Sequence, residues 1–198
     1  METLLTHWNI VAALMVFALV AFVLWFVAKK RKQSFRLQRR FGSEYDRSVN
    51  AFGSQRNAEA NLLAREKRVA RFSLTPLSDL DAARYSQAWN ELQAQFVDDP
   101  HGVVARADQL LRELMLKRGY PTGDFERRAN DISVDHPGLV ASYRLAQAIA
   151  VRNEGDAAAD TEELRQAVVH YRALFDDLLA VGEGRQEAPP AEHVAVHA

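Results

Sequence analysis

Cysteine is absent from the 198 residues, which excludes disulfides, thiolate metal sites and a cysteine nucleophile. The strings that announce common chemistries are missing as well. No GxGxxG, P-loop or GxSxG is present, and no HExxH or ExxH pair sets metal ligands one turn apart on a helix. No stretch alternates apolar and polar residues in the manner of a strand, and no internal repeat is visible. Acidic residues are absent between residues 29 and 40, where seven basic ones stand together. These absences remove most enzyme classes that carry a local signature and leave an all-α chain.

Against that background one feature dominates. Residues 10–28 contain no charge and no proline. Nineteen residues at about 1.5 Å of helical rise each reach roughly 28 Å, which matches a bilayer's hydrocarbon core. The expectation is a single N-terminal transmembrane helix, with Trp8 and Trp25 near the two interfaces. Lys29, Lys30, Arg31, Lys32, Arg36, Arg39 and Arg40 follow the run, while only Glu2 is charged before it. The positive-inside rule then leaves a short extracytoplasmic N-terminus over residues 1–9 and the rest in the cytoplasm. A cleaved signal peptide would carry its basic segment on the other side. The reading is a single-pass signal anchor in the inner (plasma) membrane, with the seven basic residues against anionic lipid.

The remaining charge is distributed differently. Residues 41–198 hold 18 Lys and Arg against 25 Asp and Glu, so the one dense basic segment sits beside the apolar run. That argues against nucleic acid as a partner.

Residues 29–53 read as a basic juxtamembrane helix broken at Gly42 and Gly53, with Phe35, Phe41, Tyr45, Val49 and Phe52 on its greasy side. It would lie on lipid or fold back on the distal domain. Ser43, ahead of Glu44 and Asp46, would cap the helix restarted after Gly42. Residues 54–75 show a thin stripe, Ala58, Leu62, Val69 and Phe72, interrupted at Arg65. This suggests a stalk, or one seam of a coiled coil joining two copies of the chain.

Residues 76–180 carry the pattern of a bundle of about five helices. Ser78 with Asp81 marks an N-terminus, after which Tyr85, Trp89, Leu92 and Phe96 recur on one face. Asp98 and Asp99 precede Pro100, and Val104, Ala107, Leu111 and Leu114 follow until Gly119 and Pro121. Phe125, Ala129 and Ile132 form a shorter stripe. Pro137 opens a helix with Leu139, Tyr143 and Ala146 inward. Asp160 and Glu163 make an acidic capping box ahead of Leu164, Val168, Tyr171, Phe175 and Leu178. Residues 153–159 form a turn, and residues 181–198 read as a disordered tail.

Candidate chemistry is sparse. Ser133, Asp135 and His136 contain the residue types of a nucleophilic triad, but sequence neighbours point apart, and capping of the following helix is the simpler reading. Asp98 and His101 offer two metal ligands without a third. His170 beside Tyr171 and Arg172 could sense protons, or could be a hydrogen-bonded border residue. Trp89, Asp108, Tyr143, Arg144, His170, Tyr171 and Arg172 are therefore grouped as a polar cluster or ligand pocket between helices. No catalytic, cofactor-binding or metal-binding residue is assigned.

The strings FGSEYDRSV, WNELQAQFVDDP, RGYP, SVDHP and TEELRQAVVHYRALFDDLL resemble a widespread bacterial family of small membrane-anchored proteins with no assigned activity. The resemblance covers residues 41–180. It implies a bacterial origin and supports the domain boundaries, and it carries over no catalytic residue. The leading expectation is a non-enzymatic, membrane-tethered interaction or scaffold module with an unknown protein partner and no cofactor. The alternatives are a ligand-sensing helical domain, and a hydrolytic or metal-dependent enzyme built on Asp98, His101, Asp135 and His136.

Overall fold

The computed structural model describes residues 2–121, 123–153 and 159–180, with side chains described at residue 15 and from residue 17 onward. Among the described residues there are eight α-helices and no strand. They are α1 (Glu2–Phe41), α2 (Ser43–Phe52), α3 (Gln55–Val69), α4 (Asp79–Ala94), α5 (Pro100–Lys117), α6 (Phe125–Asp135), α7 (Val140–Asn153) and α8 (Thr161–Ala180). The expected tail over residues 181–198 and most of the expected turn over residues 153–159 lie outside the described residues.

Local chemistry sets most of the boundaries. Ser78 accepts the Asp81 N–H at 3.1 Å, Asp99 accepts the Gly102 N–H at 2.8 Å with Pro100 leading α5, and Asp124 accepts the Arg127 N–H at 2.7 Å. Each satisfies a donor that the first turn of a helix leaves open. The capping box at α8 closes in both directions: Glu163 N–H donates to Asp160 Oδ1 at 2.8 Å, and Asp160 N–H donates to Glu163 Oε2 at 3.2 Å. Gly53 ends α2 in the left-handed conformation, φ 65°, and its N–H reaches the Val49 carbonyl.

α8 packs against α7 and α5, α4 leans on α5, and α6 joins this bundle to a unit made of α1, α2 and α3. The bundle core follows the stripes expected from the sequence. Leu164, Ala167, Val168, Tyr171, Leu174, Phe175 and Leu178 of α8 are all buried, facing Val104, Ala107, Leu111 and Leu114 of α5 and Tyr143 and Ala146 of α7. A second, smaller core gathers Leu37, Phe41, Tyr45, Leu62 and Val69 from α1–α3 around Val134 of α6.

Several expectations are corrected. Among the described residues no helix is long and apolar enough to cross a membrane. α1 has 40 residues and runs without a break past Lys29 to Phe41, so the described apolar side chains are one part of a helix whose far end packs on the body through Leu37 and Phe41. Residues 1–14 and residue 16, which include part of the expected span and the whole expected extracytoplasmic N-terminus, lie outside the described side chains. With the span go the single-pass topology, the signal anchor, the inner-membrane location and the cytoplasmic placement derived from them.

The stalk is also revised. α3 packs on α1, α2 and α6, because Arg65, which interrupts its apolar stripe, is itself an inward residue, 5% exposed. Residues 33–52 fold back through Leu37, Phe41 and Tyr45, whereas Phe35 and Phe52 stay exposed. Ser43 does not cap α2. Gly42 occupies the cap position and Ser43 is the first helical residue. Nor do Ser133 and Asp135 cap a helix opened by Pro137: both belong to α6, His136 ends it, and α7 begins only at Val140.

Candidate interaction surface and the buried ionic junction

The described part of α1 changes character along its length. From residue 17 to residue 32 every side chain is exposed, and contact with the rest of the fold begins at Gln33 and Ser34. The apolar members of this arm are large, and they are contiguous: Phe17 is 74% exposed, Leu24 65% and Trp25 58%. Because consecutive residues on a helix point in different directions, the arm is apolar all round, a pattern that normally requires burial.

The arm ends in a cationic collar. Lys29 Nζ lies 5.1 Å from the Trp25 ring centre and Lys30 Nζ lies 5.0 Å from that of Phe26, an attraction of ammonium for the ring face. Farther along, Arg39 sits over Phe35 at 5.8 Å. Arg36 and Arg40 are held by Glu66 of α3 at 3.0 and 3.1 Å, and Arg40 also donates to the Val134 carbonyl of α6 at 3.4 Å. Of the seven basic residues singled out from the sequence, Arg36 and Arg40 thus tie α1 to the body, while Lys29, Lys30, Arg31 and Lys32 ring the base of the arm.

Between α1 and α3 runs a groove of about 890 Å³. Phe26, Val27, Ala60 and Leu63 supply its apolar floor, and Lys30, Arg31 and Arg56 its charged rim. Glu59 also lines it, but accepts hydrogen bonds from Tyr45 Oη and Gln55 Nε2, each at 2.9 Å.

Where α2, α3, α6 and α7 meet, the chain buries an ionic junction. Glu44 Oε1 accepts from Arg65 Nη1 at 2.9 Å and from Arg144 Nη2 at 3.1 Å. The Glu44 side chain is 3% exposed and that of Arg65 7%. Asn61 accepts from Arg65 Nε at 2.8 Å, and Ser133 from Arg65 Nη1 at 3.4 Å. Arg144 continues to Glu126 at 2.7 Å and Asn130 at 3.2 Å, and Arg68 pairs with Asp131. Burial lowers the pKa of Arg65 most, with hydrogen bonding and charge from Glu44 opposing it. One carboxylate shared by two arginines from different helices ties α2 to α3 and to α7. Sequence reasoning passed over Glu44 and Arg65. The available signal was Arg65 itself, a charge at a position where the stripe of α3 demands an inward residue.

The residues grouped from the sequence separate into several places. Tyr143 and Tyr171 meet edge-on with ring centres 6.1 Å apart. Tyr143 Oη accepts from Arg128 Nε at 3.3 Å, and Tyr171 Oη donates to Gln147 Oε1 at 3.3 Å. Asp108 pairs with Arg112 at 3.2 Å. Burial raises the pKa of both hydroxyls, and Asp108 adds to the rise at Tyr171. Trp89 packs on Phe175 with ring centres 4.6 Å apart and planes tilted by 31°, and the Phe125 ring centre lies 5.0 Å from that of Tyr143. Trp89, Tyr143 and Tyr171 are at most 1% exposed and lie in the bundle core. Arg144 belongs to the ionic junction, Arg172 pairs with Asp176 at 3.1 Å, and His170 is half-buried on α8.

Asp135 and His136 join a different chain of contacts. Tyr120 Oη donates to Asp135 Oδ2 at 3.0 Å and lies 3.4 Å from His136 Nε2, while His136 Nδ1 meets Asp177. Burial, reinforced by Asp135, pushes the Tyr120 hydroxyl well above its ordinary pKa. Ser133 points instead to Arg65 and the Asn130 carbonyl, so no triad forms. His101 contacts Asn153 at the other end of the bundle. Among the described residues no group of three or more His, Asp or Glu could hold a metal ion. Comparison with protein-family models, curated proteins and solved structures finds no match, so the functional reading rests on the chain's own residues.

Proposed function

We propose that the chain is a non-enzymatic helical interaction module, whose bundle and ionic junction form a scaffold and whose α1 arm docks a protein partner. The exposed, contiguous apolar side chains of residues 17–27 carry this reading. Exposed apolar surface of this extent marks an interaction site, and Ser133, Asp135 and His136 are engaged in hydrogen bonds within the fold.

Site-specific photocrosslinking tests it. Crosslinkers replacing Phe22 and Leu24 are expected to give one discrete protein adduct, absent from the control positions Leu80 and Val97, which are exposed but lie outside α1, and lost with Phe17→Ser/Trp25→Ser. The reading fails if arm and control positions label alike. It also fails if the arm yields no protein adduct and the chain instead partitions onto protein-free phosphatidylglycerol vesicles.

A further inference from the structure

The groove between α1 and α3 has a chemistry that narrows the partner, and the following inference rests on the interaction-module reading. We propose that this groove receives an amphipathic helix of the partner protein, with its apolar face on Phe26, Val27, Ala60 and Leu63 and carboxylates on its flanks. Three observations lead there. The groove is open and lined by residues of α1 on one side and of α3 on the other over about 890 Å³, an arrangement that takes the side chains of one helical face. Its rim is cationic on both walls: Lys30 and Arg31 come from α1, and Arg56 from α3. The one carboxylate among the lining residues, Glu59, is already committed to Tyr45 and Gln55.

Charge complementarity selects the occupant. Glu59 feels the charge of Lys30 across the groove, but one carboxylate faces three cations, and no acidic residue stands between residues 29 and 40 to add to it. A second copy docking through the same segment would bring a second cationic collar against the first, and like charges facing each other oppose association. An apolar helix flanked by Asp or Glu satisfies floor and rim together.

The experiment uses the full-length chain and two stapled, fluorescein-labelled helical peptides. Both carry Leu and Phe on one face; one has Glu and the other Lys on its flanks. Anisotropy is expected to show the Glu peptide binding at least about tenfold more tightly, with the difference shrinking as salt rises. Arg31→Glu/Arg56→Glu should reverse the preference. Ala60→Trp, at an exposed position on the groove floor, should weaken the Glu peptide by about tenfold without changing the melting temperature. Equal binding of the two peptides overturns the proposal, as does insensitivity to both sets of variants or displacement of the Glu peptide by protein-free phosphatidylglycerol vesicles. If those results occur while Phe22 still crosslinks a discrete protein, the groove assignment falls and the interaction-module reading stands. If the crosslink is lost as well, both fall.

Discussion

The two cores of this protein solve the same packing problem by different means. The bundle formed by α4, α5, α7 and α8 closes on apolar stripes, with aromatic rings from Trp89, Tyr143, Tyr171 and Phe175 at its centre. The junction that seats α1, α2 and α3 on α6 has fewer apolar residues and holds Glu44, Arg65 and Arg144 out of water beside them. Apolar burial is roughly proportional to area and tolerates small shifts. A buried carboxylate between two guanidiniums holds only one geometry, and losing one partner strands the others. The bundle is closed by apolar area alone at its centre, whereas the unit that carries the α1 arm and its groove meets the bundle beside buried charge pairs.

Substitutions can break or sharpen that contrast. The largest effect belongs to Trp89→Ala, which empties a fully enclosed site against Phe175 and should cost about 3–5 kcal/mol, read as a lower urea midpoint for the whole chain. Glu44→Ala should cost about 3 kcal/mol, because Arg65 and Arg144 are left facing each other without their shared carboxylate. Hydrogen exchange should then quicken in α2 and α3 before α8. A cost below about 1 kcal/mol would show that the junction behaves like a surface pair and erase the distinction.

Two glycines give an internal comparison of intermediate size. Gly119 and Gly42 both have positive φ, 93° and 52°. A Cβ at Gly119 would also meet the Ser73 carbonyl oxygen at 2.4 Å, whereas one at Gly42 meets nothing within 4 Å. Gly42→Ala should cost about 1 kcal/mol from backbone strain alone. Gly119→Ala should lower the melting temperature further, since the backbone of residue 73 must move. Asp160→Ala removes half of the capping box and should cost about 1 kcal/mol, confined to fraying of the α8 start in hydrogen exchange.

The smallest effect is electrostatic. The Arg165 hydrogen bond, then that of Gln166, lowers the pKa of Glu162 to about 2. A depressed folded-state pKa gives stability that is present above the ordinary glutamate value and lost as pH falls through the folded one. The contribution at the start of α8 should therefore fade between about pH 4.5 and 2. Chemical-shift titration of the Glu162 carboxyl checks it, and an unshifted midpoint would remove the interaction.

How far the sequence could be read differed between the two regions for the same reason. In the bundle, spacing of three and four residues between apolar side chains, with Ser, Asp and Pro at the starts, marked α4, α5 and α8 almost to the residue. Those signals are local. The junction is built from long-range partners: Glu44 and Arg144 are separated by 100 positions, and Arg65 and Ser133 by 68. No periodicity announces such pairs, and the charge of Arg65 read as an exposed stalk when it was a buried strut. Leu37, fully buried in the second core, was likewise hidden inside a run of basic residues.

By itself the amino-acid sequence determined that the chain is helical, where most helices start and stop, and which stripes close the main core, because capping and amphipathic spacing act within a few residues. Tertiary structure alone decided that α3 is a wall rather than a stalk, that Glu44 gathers two arginines, and that the arm of α1 stands clear beside a cationic groove. Those outcomes depend on which surfaces meet after the chain has folded back. Distant side chains find their charge partners only then.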